Sequence, residues 1–214
     1  EIKKYAAEAR FLRAYQYWVL MDLYGNPPFV TEKDAIGSVL PKQIQRKDLF
    51  TYIETELKAI ETELVAAKQN QYGRADQSAA QALLARMYLN AEVYTGQPKY
   101  TEAITYANKI RANYKLISNY RELMLADNHL NTDEFIFSIA YDATNTQNWG
   151  GTTYLTHGPA AVPGSISGTS GNWGGLRHTH TFVDLFADPS GNTDKRAQFY
   201  TTGQSKVMTE LYTG

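Results

Sequence analysis

The stretch that decides the fold is Glu8 to Phe29, EARFLRAYQYWVLMDLYGNPPF. Its apolar residues recur three and four positions apart, which is the spacing of residues that share a helix face. One apolar face consists of Ala7, Phe11, Ala14, Trp18 and Met21. A second consists of Leu12, Val19 and Leu23. Because a helix that is apolar on two sides must be buried on two sides, we predict a central packing helix here.

Turn residues and further helical patterns follow this stretch. Gly25 can adopt the left-handed conformation that ends a helix, and neither Pro27 nor Pro28 can continue one. We therefore predict a first helix over residues 1–24 and a connector over residues 25–45. Apolar residues at helical spacing predict three more helices, over about residues 48–67, 75–94 and 99–113.

The last two of these helices have the pattern of a tetratricopeptide-type hairpin. The small and aromatic positions of that repeat are occupied by Gly96, Tyr100, Ala103 and Ala107. The first two predicted helices resemble a degenerate copy with a longer connector. Because two hairpins are fewer than a free-standing solenoid needs, we expect other parts of a longer chain to complete the core.

The pattern changes after Lys115. Residues 134–141, EFIFSIAY, alternate as a strand would, and residues 197–202 give a weaker strand prediction. Residues 179–187 are predicted to form a short helix with Phe182, Leu185 and Phe186 facing inward. No helical or strand period persists over residues 142–177, and a connection of that length is usually functional or disordered.

Together these patterns predict a mostly α fold, in which tetratricopeptide-like helical hairpins carry a large irregular loop layer with minor β structure. We assign the hairpins to residues 1–114. A loop-rich ligand-binding region with a short strand and helix occupies residues 115–214. The two parts are expected to form one continuous domain.

Composition excludes several classes of function. A formal net charge of −1 gives no cationic surplus for nucleic acid or an anionic membrane. Cysteine is absent, which excludes disulfides, cysteine-ligated zinc and thiol catalysis. No apolar run of about 20 residues predicts a membrane-spanning helix. The 16 tyrosines suit either a surface for amphipathic ligands or the packing of helical repeats.

The loop over residues 142–177 contains the candidate site. A flat indole stacks on the C–H face of a sugar ring, and Asn and Gln amides both donate to and accept from hydroxyls. Flanking glycines let a bulky ligand approach the backbone. The predicted ligand-binding residues are Gln147, Asn148, Trp149, Tyr154, Asn172 and Trp173, with His157 as a weaker member. The alternative is that both tryptophans plug the loop onto the helical core.

The sequence does not support catalysis or a metal site. His178 and His180 lack a nearby third ligand, and no calcium-loop spacing of aspartates is present. Glycoside hydrolysis needs two carboxylates across the scissile bond. The segment from Trp149 to Trp173 contains no acidic residue. We therefore predict a non-enzymatic protein with no cofactor and no metal.

Five segments resemble the SusD/RagB family. They are EARFLRAYQYW with the following LYGNPPFVT, GRADQSAAQALLARMYL, EFIFSIAYD and DKRAQFY. The order and spacing of these segments are more specific than any one of them alone. The resemblance implies a glycan-binding lipoprotein on the surface of Bacteroidetes cells, of which this chain is a central fragment.

The family implies non-catalytic binding of oligosaccharide or polysaccharide and its delivery to a SusC-like TonB-dependent outer-membrane transporter for nutrient uptake. The lipid-accepting cysteine of the family is absent from this chain, so attachment to the outer membrane is expected from the resemblance alone. The alternative is a helical-repeat scaffold that binds a protein or peptide partner with the loop as a lid. Burial of both tryptophans would favour that alternative.

Overall fold

The computed structural model describes residues 1–35, 37, 40–141, 144–146, 149–159, 162–197 and 199. The chain divides into two compact units. Unit 1 comprises Glu1–Leu116 and Thr132–Ser138, and unit 2 comprises Ile117–Asn131 and Ile139–Gly214. Unit 1 thus takes in a short segment from beyond the predicted hairpin region of residues 1–114.

Five helices build unit 1 in its described residues, and they confirm the mostly α fold. They are α1 Ile2–Tyr24, α2 Arg46–Ile60, α3 Gln77–Leu89, α4 Ala91–Thr95 and α5 Tyr100–Arg111. The single helix predicted over residues 75–94 is wrong, because Asn90 separates α3 from α4. The helix predicted over residues 48–67 ends early, at Ile60, where a series of turns replaces it.

The core of unit 1 forms around one face of α1. The buried residues of that helix are Ala7, Phe11, Ala14, Tyr17 and Met21. The prediction of a second buried face is wrong for the described residues, because Leu12 is 49% and Leu23 is 67% exposed. Residues of α2, α3, α4 and α5 complete the same core.

Ion pairs connect α1 to its neighbours around the rim of this core. Arg10 donates from Nε and Nη2 to the two carboxylate oxygens of Glu56, both at 3.0 Å, and Arg13 Nη2 donates to the same carboxylate at 2.9 Å. Arg74 Nε donates to Glu8 at 3.0 Å. Asp76, two positions after Arg74, has a different role.

Asp76 fixes the start of α3 and the turn before it. One carboxylate oxygen accepts from the backbone N–H of Ala79 at 3.0 Å, which caps the helix. The other accepts from the backbone N–H of Lys68 at 2.7 Å. Lys68 has a φ of 61°, a left-handed conformation that a residue with a Cβ rarely adopts. The buried carboxylate therefore holds both the helix end and the strained turn.

The predicted strand over residues 134–141 is wrong. Those residues adopt no strand, and the described part of the chain offers them no partner strand. Phe137 packs instead on α1: its ring lies edge-on to that of Phe11, with centroids 5.2 Å apart, whereas Ile139 is 59% exposed. The backbone N–H of Lys115 donates to Asp133 O at 3.0 Å, which anchors the start of the segment to unit 1.

In its described residues, unit 2 contains three short helices, α6 Gly151–His157, α7 Gly164–Ser167 and α8 His180–Val183, with 3-10 turns at Tyr120–Met124 and Asn128–Leu130. The expectation of no regular structure over residues 142–177 is wrong at α6 and α7. Helix α8 is shorter than predicted and buries Val183, whereas Leu185 is 76% exposed. Most of the strand predicted over residues 197–202 lies outside the described residues.

No helix in the described ranges combines the length and the apolar composition that crossing a bilayer requires.

The two roles of Asp76 predict a large effect of its removal. Asp76→Ala should lower the free energy of unfolding by about 2 kcal/mol, because a cap is lost and a strained turn loses its acceptor. Urea unfolding followed by circular dichroism measures this change. Asp48→Ala is the matched control, since Asp48 is an exposed acid in the first turn of α2. Equal midpoints for the two variants would contradict the assignment.

The hydrogen bonds of Glu56 predict that the stability of the fold falls at acidic pH. Hydrogen bonds from Arg10, and then from Arg13, hold the pKa of Glu56 below its usual value despite partial burial. Because the folded pKa is lowered, the carboxylate stabilises the fold above a pH of about 4.5, and that contribution is lost as the pH falls through the lowered pKa.

Glu56→Gln should therefore reduce stability at pH 7 by about 2 kcal/mol and flatten the loss below pH 4.5. Thermal unfolding of both proteins between pH 3 and pH 7 tests this. Glu102→Gln, at an exposed site on α5, should leave the pH profile unchanged. A Glu56→Gln profile as steep as that of the parent would refute the assignment.

Candidate functional site

Four aromatic side chains of unit 2 lie together, with Trp173 at their centre. Its ring centroid lies 5.8 Å from that of Trp149, 6.3 Å from that of Tyr154 and 5.1 Å from that of His157. The His157 ring stacks on the indole at an interplanar angle of 26°, whereas the Trp149 ring is tilted by 51°. We call these four residues the aromatic cluster.

Backbone hydrogen bonds hold the cluster together. Tyr154 and His157 are three residues apart on α6 and therefore lie on the same side of that helix. The backbone N–H of Trp173 donates to His157 O at 2.7 Å. Gly175 and Leu176 donate to Gly158 O at 2.9 and 2.7 Å, respectively. Residues 173–176 are thus fixed against the end of α6, which places the indole beside the two α6 rings.

Close packing at two glycines makes this arrangement possible. At Gly158, a Cβ would lie 2.5 Å from Tyr154 O and 2.7 Å from the side chain of Leu176. At Gly151, where α6 begins, φ is +56° and a Cβ would lie 2.5 Å from the Tyr141 ring. Both contacts are too short for a side chain, so glycine permits the helix and its neighbours to approach.

The cluster presents apolar ring surface to solvent. Trp149 is 79% exposed, Tyr154 is 44% exposed and Trp173 is 43% exposed. Neither tryptophan is buried, so the alternative in which both plug a helical core is not what the structure shows. Two indoles at an angle to each other offer separate faces for planar or ring-shaped ligand groups.

The predicted amide residues divide into two groups. Gln147 and Asn148 lie outside the described residues. The Asn172 side-chain amide donates to Val162 O, and its carbonyl oxygen accepts from Thr169 Oγ1 at 3.4 Å. Asn172 therefore supports the loop that carries Trp173. A direct contact between any of the six predicted residues and a ligand stays a prediction.

The cluster has the chemistry of a binding surface. His157 Nδ1 lies 3.1 Å from the carbonyl oxygen of Thr153 and 3.2 Å from the hydroxyl oxygen of Thr156. None of the four cluster residues is a carboxylate. Within the described ranges, no three His, Cys, Asp or Glu side chains are grouped as a metal site. Outside the cluster, His180 Nδ1 lies 3.7 Å from Asp184 Oδ2, four residues further along the chain.

The structure also reveals a cavity that the sequence does not predict. It lies in unit 2, has a volume of about 770 Å³ and is bordered by residues of α6, of the 3-10 turn Tyr120–Met124 and of the loop before Phe199. Arg121 and Lys195 line it. These two cations are 74 positions apart in the numbering, and no motif connects them, so only the fold brings them together.

The chain is similar to known proteins over most of its length. Residues 1–89 match a family model described as starch-binding and associating with the outer membrane. The starch-binding protein SusD of Bacteroides thetaiotaomicron is 42% identical over 177 residues, which are 81% of this chain and 32% of SusD.

Two solved structures share the fold. A SusD superfamily protein from Parabacteroides distasonis superposes with a TM-score of 0.74 at 21% identity, over 99% of this chain and 48% of that protein. Surface glycan-binding protein A from Bacteroides thetaiotaomicron, in complex with laminarihexaose, gives 0.73 at 21% identity, over 94% and 43%. The chain thus spans about a third of SusD and less than half of each of these structures.

The close approach at Gly151 predicts that the geometry of the cluster is sensitive to a single methyl group. Gly151→Ala adds a Cβ against Tyr141 at a left-handed φ, which should cost about 1 kcal/mol or more and shift the start of α6. Tryptophan emission reports the change, since Trp173 contacts α6. Gly171→Ala is the control, because a Cβ there meets nothing within 4 Å. Identical spectra for the two variants would contradict the tight fit.

Proposed function

This chain belongs to the SusD/RagB family, and we propose that it binds oligosaccharide or polysaccharide through the aromatic cluster without turning it over. The observation that carries the proposal is the exposed pair of indoles, Trp149 and Trp173, whose ring centroids are 5.8 Å apart. Two exposed indoles in contact form an apolar surface that a monomeric protein rarely leaves uncovered without a function.

The mechanism is stacking combined with hydrogen bonding. A pyranose ring presents axial C–H bonds on its face and hydroxyls around its rim, so an indole covers the face while polar groups meet the rim. The tilt between the two indoles suits successive sugars whose ring planes differ in direction. By analogy with aromatic pairs, each stacked ring should contribute on the order of 1 kcal/mol, which gives weak binding per sugar and stronger binding to a polymer.

The site requires little rearrangement before binding. Hydrogen bonds from Trp173, Gly175 and Leu176 fix the loop to α6 and its end. Asn172 braces the same loop through Val162 and Thr169. A surface that is already ordered loses less entropy when a ligand binds, which suits a site that must capture glycans with few strong contacts.

Known relatives support a glycan as the ligand. SusD is named as a starch-binding protein, and surface glycan-binding protein A holds laminarihexaose. The cluster itself offers no carboxylate pair for hydrolysis, so the proposed role is binding rather than catalysis. We further propose that the protein acts at the cell surface of the outer membrane and delivers glycan to a SusC-like TonB-dependent transporter. The description of the matching family model, starch-binding and associating with the outer membrane, supports that location.

The test is glycan binding by the parent chain and by variants of the cluster. Isothermal titration or affinity electrophoresis with a panel of soluble polysaccharides should identify one that binds saturably. Trp149→Ala and Trp173→Ala should each weaken that binding about fivefold or more, as the loss of one stacked ring implies. Tyr24→Ala is the control, since Tyr24 is 71% exposed on α1 and lies outside the cluster.

Circular dichroism melting of each variant separates a binding defect from unfolding. The proposal is contradicted if no glycan binds, or if the tryptophan variants and the Tyr24 variant bind alike. The helical-repeat scaffold that binds a protein or peptide would then become the better interpretation.

A further inference from the structure

His157 is the member of the aromatic cluster whose ring nitrogens can accept a hydrogen bond. Its imidazole stacks on the Trp173 indole, with ring centroids 5.1 Å apart and an interplanar angle of 26°. The indoles of Trp149 and Trp173 each carry one N–H group, which can only donate. The position of the proton on the imidazole therefore decides whether the cluster offers a ring nitrogen as an acceptor to a ligand.

The neighbours of Nδ1 determine where the proton of the neutral imidazole lies. His157 Nδ1 is 3.1 Å from the backbone carbonyl oxygen of Thr153, and a carbonyl oxygen can only accept. The proton of neutral His157 therefore lies on Nδ1. The Thr156 hydroxyl oxygen, 3.2 Å from the same nitrogen, can accept from that N–H as well. Since a neutral imidazole carries one ring N–H, Nε2 keeps its lone pair and is an acceptor.

Nε2 of His157 is accessible to a ligand. The side-chain hydrogen bonds that His157 makes with described residues both use Nδ1. Nε2 is not among the buried, unpaired side-chain atoms in the part of the chain that the structure describes, so it reaches solvent. Its lone pair lies in the plane of the imidazole. Stacking of the ring face on Trp173 therefore leaves the lone pair free.

The segments that carry the cluster favour a neutral partner for Nε2. Residues 149–159 and 173–176 contain no Asp, Glu, Lys or Arg. Hydroxyl groups are neutral donors, and a pyranose carries several of them around the rim of its ring. The imidazole nitrogen thus suits the rim of a sugar, in the same way that the indoles suit its C–H face.

We propose that Nε2 of His157 accepts a hydrogen bond from a hydroxyl of the sugar that stacks on the indoles. The inference rests on the proposed function, because stacking brings the sugar to His157. The imidazole covers part of one face of Trp173, so a sugar on the remaining indole surface meets the imidazole at its edge, where the lone pair lies. His157 is then a specificity-determining residue that favours a hydroxyl-bearing ring over an apolar ring of similar size.

Nuclear magnetic resonance of the parent chain, labelled with ¹⁵N-histidine, tests the position of the proton. The chain has four histidines, and the signals of His157 are those that disappear in His157→Phe. At about pH 8, where an ordinary imidazole is neutral, Nδ1 should resonate as a protonated nitrogen and Nε2 as an unprotonated one. The opposite tautomer, with the proton on Nε2, would overturn the proposal whichever glycan binds.

Addition of glycan to the same sample tests the hydrogen bond itself. Maltoheptaose and laminarihexaose are the probes, together with the polysaccharides of the binding panel, because SusD is named as starch-binding and a structural relative holds laminarihexaose. A probe that binds should move the Nε2 signal toward that of a protonated nitrogen and leave the Nδ1 signal in place. An Nε2 signal that does not move when the site is saturated contradicts the proposal.

A variant assigns the contribution to the nitrogen rather than to the ring. His157→Phe keeps an aromatic ring beside Trp173 but removes the acceptor, and it should weaken glycan binding about fivefold. His129→Phe is the matched control, since His129 is exposed in unit 2 outside the cluster, and it should bind as the parent does. Melting curves of both variants confirm that they remain folded. Equal affinities of His157→Phe and the parent would refute the role of Nε2.

The same measurements separate this proposal from the proposed function. Binding that is lost in Trp173→Ala but kept in full in His157→Phe supports the stacking site and overturns the role of His157 alone. Binding that is weakened in both variants, with a shifted Nε2 signal, supports both. If no glycan binds the parent chain, this inference is overturned together with the proposed function.

Discussion

Burial of one face of α1 is the constraint on which unit 1 depends. Phe11 and Met21 are almost completely buried, and residues of α2 and α3 fill the space around them. Phe137 covers Phe11 from a distant part of the sequence. Removing a buried aromatic or large aliphatic side chain costs about 2–5 kcal/mol, a large share of the stability of a domain of this size. The charged pairs around this face connect separate segments: Glu56 binds Arg10 and Arg13, and Glu8 binds Arg74.

In the described part of unit 2, backbone hydrogen bonds order the candidate site. Its most buried apolar side chains include Val183 and Ala197, both small, whereas several of its large rings are half-exposed. Order in the site comes from the bonds that join residues 173–176 to His157 and Gly158. The described aromatic residues of unit 2 fall into two sets: Phe182, Phe186 and Phe199 pack on one another, whereas Trp149, Tyr154 and Trp173 form the exposed cluster.

The helices of unit 1 could be predicted because their apolar residues repeat with a helical period, and the turn residues Gly25 and Gly96 mark two of their ends. Alternation of apolar and polar residues was not enough to predict a strand over residues 134–141. A strand also needs a partner strand, and the described residues supply none. Helices α6 and α7 were missed because their sequences, rich in Gly, Thr and Ser, lack an apolar period. Trp149, Tyr154 and Trp173 were recognisable by residue type, but their mutual contact follows from the pairing of residues 173–176 with the end of α6. Arg121 and Lys195 gave no signal at all, because their proximity exists only in the folded unit.

Helix α6 shows how a very short element can organise two different surfaces. Seven residues make fewer than two turns and bury little, so such a helix owes its stability to its surroundings rather than to its own propensity. Glycines at its start and end allow Tyr141 and Leu176 to pack directly against its backbone. That support fixes the position of the helix, so Tyr154 and His157 contact Trp173 while Leu155 and Thr156 line the cavity. The aromatic cluster and the cavity are therefore bordered by different residues of the same short helix, and the packing of α6 determines the geometry of both.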